Sequence, residues 1–103
     1  MELVVDLQAG TVDLTDPDDF KHFALRAAAG DPERLAAVLT DTGVGRMGGD
    51  SDAFIHPDAV RSLVAGRVGE QWEDGFAGMC AYAAGQGWIA DDGAIQAHVV
   101  ADG

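Results

Sequence analysis

Three prolines punctuate the chain, each set between an Asp or His and an acid: Asp16-Pro17-Asp18, Asp31-Pro32-Glu33 and His56-Pro57-Asp58. Proline suits the first turn of a helix, where its missing N–H would have no partner anyway. A preceding Asp can cap the free N–H groups, and a following acid complements the helix dipole. The pattern predicts three helices, opening at Pro17, Pro32 and Pro57. Apolar spacing supports each one. Phe20, Phe23, Ala24 and Ala27 form the first stripe, which Gly30 would end; Leu35, Val38, Leu39 and Thr42 form the second, closed by Gly43. Val60, Leu63, Val64 and Val68 form the third, interrupted at Gly66 and Gly69. A fourth helix is predicted from about Glu70 to Gly85, with Trp72, Phe76, Met79, Cys80 and Ala83 along one stripe.

Short alternating runs lie around these helices. Leu3, Val5 and Leu7 alternate, as do Val12 and Leu14, with Ala9-Gly10 as a hairpin turn between them. Val44 to Met47 and Ala53 to Ile55 can pair across Gly48-Gly49-Asp50, and Trp88 to Ala90 and Ala94 to Val100 across Asp91-Asp92-Gly93. In the last run Ile95, Ala97 and Val99 face one way, and Gln96, His98 and Val100 the other. The expected class is α+β: about four short helices with short antiparallel hairpins, in a single domain over residues 1–103.

Gly43-Val44-Gly45-Arg46-Met47-Gly48 spells G-x-G-x-x-G, and Gly45 to Gly48 resembles the loop of small dinucleotide reductases. That fingerprint must follow a buried strand and open a helix. Here a helical segment precedes it and an extended one follows, so the stretch reads as a helix cap followed by a hairpin. No cofactor is expected.

Charge narrows the partners. Eighteen acids face six bases, a net charge of −12, and no Lys or Arg lies before Lys21 or after Arg67. Phosphate backbones and anionic membranes are held by Lys and Arg, so direct nucleic-acid binding and membrane association are not expected. Nor does any apolar run reach the ~20 residues a membrane span needs. With one cysteine, Cys80, and no signal-peptide pattern, the expected compartment is the cytoplasm.

Candidate chemistry is sparse. His22 stands four residues after Asp18, His56 sits where it could cap the third helix, and His98 lies on the final strand. Cys80, in an apolar stripe, reads as packing. The spacings of a metal site, a nucleophile elbow and a phosphate-binding loop are all missing from the sequence, so no catalytic or metal-ligating set is expected. The fourth helix stands out. Beyond its aromatic stripe it carries Ala77, Gly78, Ala81 and Gly85, small residues that would let another helix approach closely. This side either packs inside the domain or forms an interface. The order helix, helix, strand, strand over the C-terminal half resembles the later part of a winged helix, though the second helix would carry Glu70, Glu73 and Asp74 where a DNA reader needs bases.

The leading expectation is a small acidic, non-catalytic interaction or regulatory module with a protein partner, a second copy of itself, or both. One variant is an acidic mimic that occupies the nucleic-acid site of a basic partner. The alternative is a small-molecule-binding protein or small biosynthetic enzyme, with a pocket between the fourth helix and the sheet lined by Trp72, Phe76, Trp88 and His98.

Overall fold

The computed structural model describes residues 1–28, 32–48 and 51–102. The N-terminal hairpin forms as expected. β1 (Glu2–Asp6) pairs antiparallel with β2 (Thr11–Thr15), and Gly10 takes a positive φ of 70° at the turn. Leu3, Val5 and Leu14 point into the core while Glu2, Val4 and Asp13 face away, the period of two that a half-buried strand imposes.

The next segment departs from expectation. Pro17 opens no helix. Asp16 has a φ of 50°, the Asp19 N–H donates to the Asp16 carbonyl at 3.0 Å, and the chain turns. It then enters β3 (Ala24–Ala28), which pairs parallel with β1. The reason lies in the partners of the carbonyls. Those of Pro17 and Asp19 accept from the Trp72 indole and the Met1 amino group, both at 2.7 Å, so neither is left for a helical ladder. Leu25 and Ala27 are buried while Ala24 and Arg26 are half-buried, a strand's alternation beneath a helical spacing. The expected stop at Gly30 lies outside the described residues.

The other two prolines do open helices. α1 (Pro32–Thr42) buries Leu35, Val38 and Leu39, and ends where Gly43 adopts a φ of 74° and the Val44 N–H returns to the Leu39 carbonyl at 3.1 Å. Its expected cap, Asp31, lies outside the described residues. β4 (Gly45–Met47) and β5 (Asp52–Ile55) form the second expected hairpin, whose turn residues Gly49 and Asp50 also lie outside. α2 (Pro57–Val64) follows, then α3 (Trp72–Gly85) and β6 (Ile95–Asp102). The described residues thus hold three helices and one mixed six-stranded sheet, where the sequence predicts about four helices and separate hairpins.

Strand order in the sheet is β2-β1-β3-β6-β5-β4. The winged-helix likeness fails here, because β6 is an interior strand and no wing forms. The expected pairing of residues 88–90 with β6 is reduced to one bridge, Ile89 to Ile95. β6 instead runs parallel to β3 from His98 to Asp102 and antiparallel to β5 from Ile95 to His98. His98 belongs to both ladders. Two staggered half-sheets therefore join along one strand, with His98 at the step. α1 touches both β2 and β4, the two edge strands, so the sheet curls around this helix. The enclosed core runs through Leu3, Leu14, Leu25, Leu39, Ile55, Val60, Phe76 and Ile95, each fully buried or nearly so.

Candidate functional site

The stagger of the sheet leaves a gap. On one side of β6, β5 covers residues 95–98. On the other, β3 begins only at Ala24, opposite His98. The chain around Trp88 takes the vacant place: the Gln96 N–H donates to the Trp88 carbonyl at 2.8 Å, and the Ala90 N–H to the Ala94 carbonyl at 2.9 Å. Between this segment, the approach to β3 and the second half of α3 lies a cavity of about 540 Å³. Its aromatic border is Phe20, Phe23, Tyr82 and Trp88, with Met79, Ala83 and Ile95 adding apolar wall.

Polar groups enter from the strands. Register places Glu2, Ala24, His98 and Asp52 in one transverse row across β1, β3, β6 and β5. Ala24, in the middle, has the small side chain, which leaves the row open there. Glu2 accepts a hydrogen bond from Arg26 at 2.9 Å. The Asp52 carboxylate lies 3.7 Å from His98 Nδ1, too far for a hydrogen bond. At the rim, His22 Nδ1 meets Asp19 Oδ2 at 3.0 Å, and that bond together with the Lys21 N–H holds the Asp19 carboxyl below the usual carboxylate range. The expected Asp18–His22 helical pair is therefore replaced by an Asp19–His22 contact in a loop.

Two of the four expected pocket residues line this cavity. Trp88 is 43% exposed at its edge, 5.9 Å from Tyr82 in an edge-to-face pair, and His98 stands on its strand wall. Trp72 and Phe76 do not reach it. They are 4% and 0% exposed, stacked on each other at 4.8 Å inside the core, and the Trp72 indole N–H is committed to Pro17. Sequence reasoning passed over Phe20, Phe23, Tyr82 and Asp52. The spacing of the first two fits a helix face, and Asp52 gains its place only through strand register. Tyr82 directly precedes the core residue Ala83 on α3, which carries it to the rim of the same stripe.

The small-residue face of α3 is exposed. Ala77, Gly78, Ala81 and Gly85 lie in solvent, and a Cβ built on Gly78 or Gly85 would meet nothing within 4 Å. The reading in which that side packs inside the domain is thereby corrected. Gly75, on the same helix, behaves differently, since a Cβ there would collide with the Phe20 ring. Cys80 is half-buried, and burial pushes its thiol pKa up, which disfavours the thiolate.

The glycine-rich stretch serves strand packing. A Cβ on Gly45 would strike the Phe54 carbonyl, and one on Gly48 the Phe54 ring. The Arg46 guanidinium lies 5.2 Å from that ring's centre and pairs with Asp92 at 2.7 Å, a contact that holds the Asp92 carboxyl below its usual range. His56 occupies the N-cap position of α2 but makes no side-chain cap; its backbone N–H donates to the Val44 carbonyl at 2.8 Å. It borders a second, more open hollow with Thr42, Asp58 and Asp92.

Among the described residues no three His, Cys, Asp or Glu side chains are grouped to hold a metal ion. None of the helices there is long and apolar enough to cross a membrane. Comparison with known protein families, curated proteins and solved structures returns no match.

Proposed function

We propose that this chain is a small cytoplasmic ligand-binding protein whose cavity, at the step of the sheet, takes an apolar organic molecule. The observation that carries the reading is the cavity itself, about 540 Å³, walled by aromatic and aliphatic side chains and bordered by a few polar groups. Small-molecule sites commonly have such a volume and such a lining. His98, Gln96 and Asp52 would orient the ligand, while Trp88 and Tyr82 would cover its apolar part.

The test is a fragment screen by thermal shift, followed through tryptophan emission. Trp72 is sealed in the core, so ligand-dependent changes are expected to come from Trp88. They should vanish in Trp88→Phe, while the thermal shift persists. Ala24→Leu, which adds bulk to the middle of the transverse row, should abolish both signals. The proposal fails if no fragment raises the Tm, or if Ala24→Leu binds the hits as well as the unchanged protein.

A second reading keeps the interaction module. It is favoured by the bare Ala77, Gly78, Ala81 and Gly85 face beside Tyr82, which is 63% exposed. Light scattering at low and at 0.5 M salt tests whether a second copy covers it. A salt-resistant dimer that Ala81→Leu converts to monomer supports this reading, and a monomer under both conditions removes the second copy as the occupant of that face.

A further inference from the structure

Resting on the ligand-binding reading above, we infer that the cavity selects an organic amine, with the ammonium set against Asp52 and the apolar body against Tyr82, Trp88 and the two bordering phenylalanines.

Three independent observations converge on a cation. The first concerns the carboxylates of the cavity wall. Glu2 is closed by Arg26 at 2.9 Å. Among the described residues, no side-chain or backbone donor lies within hydrogen-bond distance of the Asp52 carboxylate, and its nearest partner is His98 Nδ1 at 3.7 Å. It is 38% exposed, open enough to receive a ligand yet confined by the strand beside it. An ammonium group would supply charge-assisted hydrogen bonds that no described residue gives this carboxylate.

The second observation is the wall chemistry. Phe20, Phe23, Tyr82 and Trp88 all border the same space. Aromatic faces carry negative potential and attract organic cations, most strongly where water is partly excluded. Tyr82 and Trp88 meet edge to face, with their planes 69° apart, so two differently oriented ring surfaces are offered in one corner. A neutral apolar ligand would use the same walls but would leave Asp52 without a donor.

The third is the field of the whole molecule. A net charge of −12 raises the local concentration of cations and repels anions during approach. Among the described residues that line the cavity, Lys21 is the one Lys or Arg, and the nearby Arg26 is engaged with Glu2. Lys21 is exposed, and its flexible four-carbon stem lets the ammonium remain in water away from the wall.

The experiment compares three probes of one shape by calorimetry: 2-(1-naphthyl)ethylamine, 1-naphthylacetamide and 1-naphthylacetate. The amine is expected to bind about tenfold more tightly than the amide, with the acetate weakest. Asp52→Asn, which keeps the side-chain shape, should bring the amine level with the amide and leave the amide unchanged. The amine's advantage should also shrink at 0.5 M salt, because part of it is screened. Amide or acetate binding as tightly as the amine to the unchanged protein overturns the amine assignment while leaving the cavity reading in place. An undiminished amine preference in Asp52→Asn overturns the role of Asp52. Failure of all three probes at millimolar concentration overturns the amine assignment and counts against the cavity reading as well. The probe series on the unchanged protein decides the matter even if Asp52→Asn folds poorly.

Discussion

Between Asp16 and Ala28 the chain makes a turn and an interior strand; between His56 and Val64 it makes a helix. Both stretches begin with a proline followed by an acid, and both carry apolar residues at helical spacing. What separates them is the company each keeps. α2 buries Val60 and Val64 on one side and exposes Arg61 on the other, bonded to Asp58 and Glu73, so an amphipathic helix meets every demand on it. The earlier stretch lies between β1 and β6, where a strand gains two ladders, and distant donors hold the carbonyls just before it. Local preference sets the helix only where tertiary contacts do not compete.

Breaking the distant donors should collapse the contrast. Trp72→Ala removes the ring stacked on Phe76 and the bond to Pro17, and is expected to cost about 3–5 kcal/mol in denaturant unfolding. Trp72→Phe keeps most of the packing but orphans the Pro17 carbonyl, for a loss of about 1–3 kcal/mol. An unchanged stability in Trp72→Phe would show that the indole bond does not help hold the turn.

Gly75 and Gly78, on one helix, sharpen the comparison. Gly75→Ala drives a methyl into the Phe20 ring, which fixes the approach to β3, and should cost about 1–3 kcal/mol. Gly78→Ala meets open space and should gain up to about 1 kcal/mol from helix propensity alone. Stabilisation by both would mean that Phe20 moves aside freely.

Pro17→Ala and Pro57→Ala should each lose less than about 1 kcal/mol, since both prolines act mainly by restricting the unfolded chain. A far larger loss at Pro17 alone would assign the turn itself, and not its distant donors, the decisive role.

The smallest effect is electrostatic. Asp19 and Asp92 are held below the ordinary carboxylate range by His22 and Arg46 respectively. A carboxyl depressed only in the folded state adds stability above its unfolded pKa, and that contribution drains away as pH falls through the folded value. The Tm should therefore decline below about pH 4, the usual carboxylate value. Asp92→Asn should flatten part of that decline, modestly, because the pair is exposed. An unchanged acid profile would show that the Arg46–Asp92 contact adds nothing.

The helices at Pro32 and Pro57, the Gly43 cap and two of the three expected hairpins were legible because each rests on contacts near in sequence. α3 was legible too, since its stripe of Trp72, Phe76, Met79 and Ala83 is long enough to fix its period. Strand β3 was not, because Ala24, Leu25 and Ala27 fit either period and the decision belongs to β1 and β6. The cavity was half legible. Trp88 and His98 were found from the strand pattern, but Trp72 and Phe76 were drawn into the core by stacking, and Asp52 reaches the site through a pairing that no local motif announces.

The two ladders of β6 also govern the order of assembly. A chain synthesised from its N-terminus carries β1 to β3 and then β4 and β5 before the strand that unites them exists. Until β6 arrives, β3 presents one bare edge and β5 another, each an open template for pairing with a neighbouring chain. The step at His98 is thus closed by contacts between regions far apart in sequence, the kind that form slowly, and the cavity there should be among the last features to appear as the molecule folds.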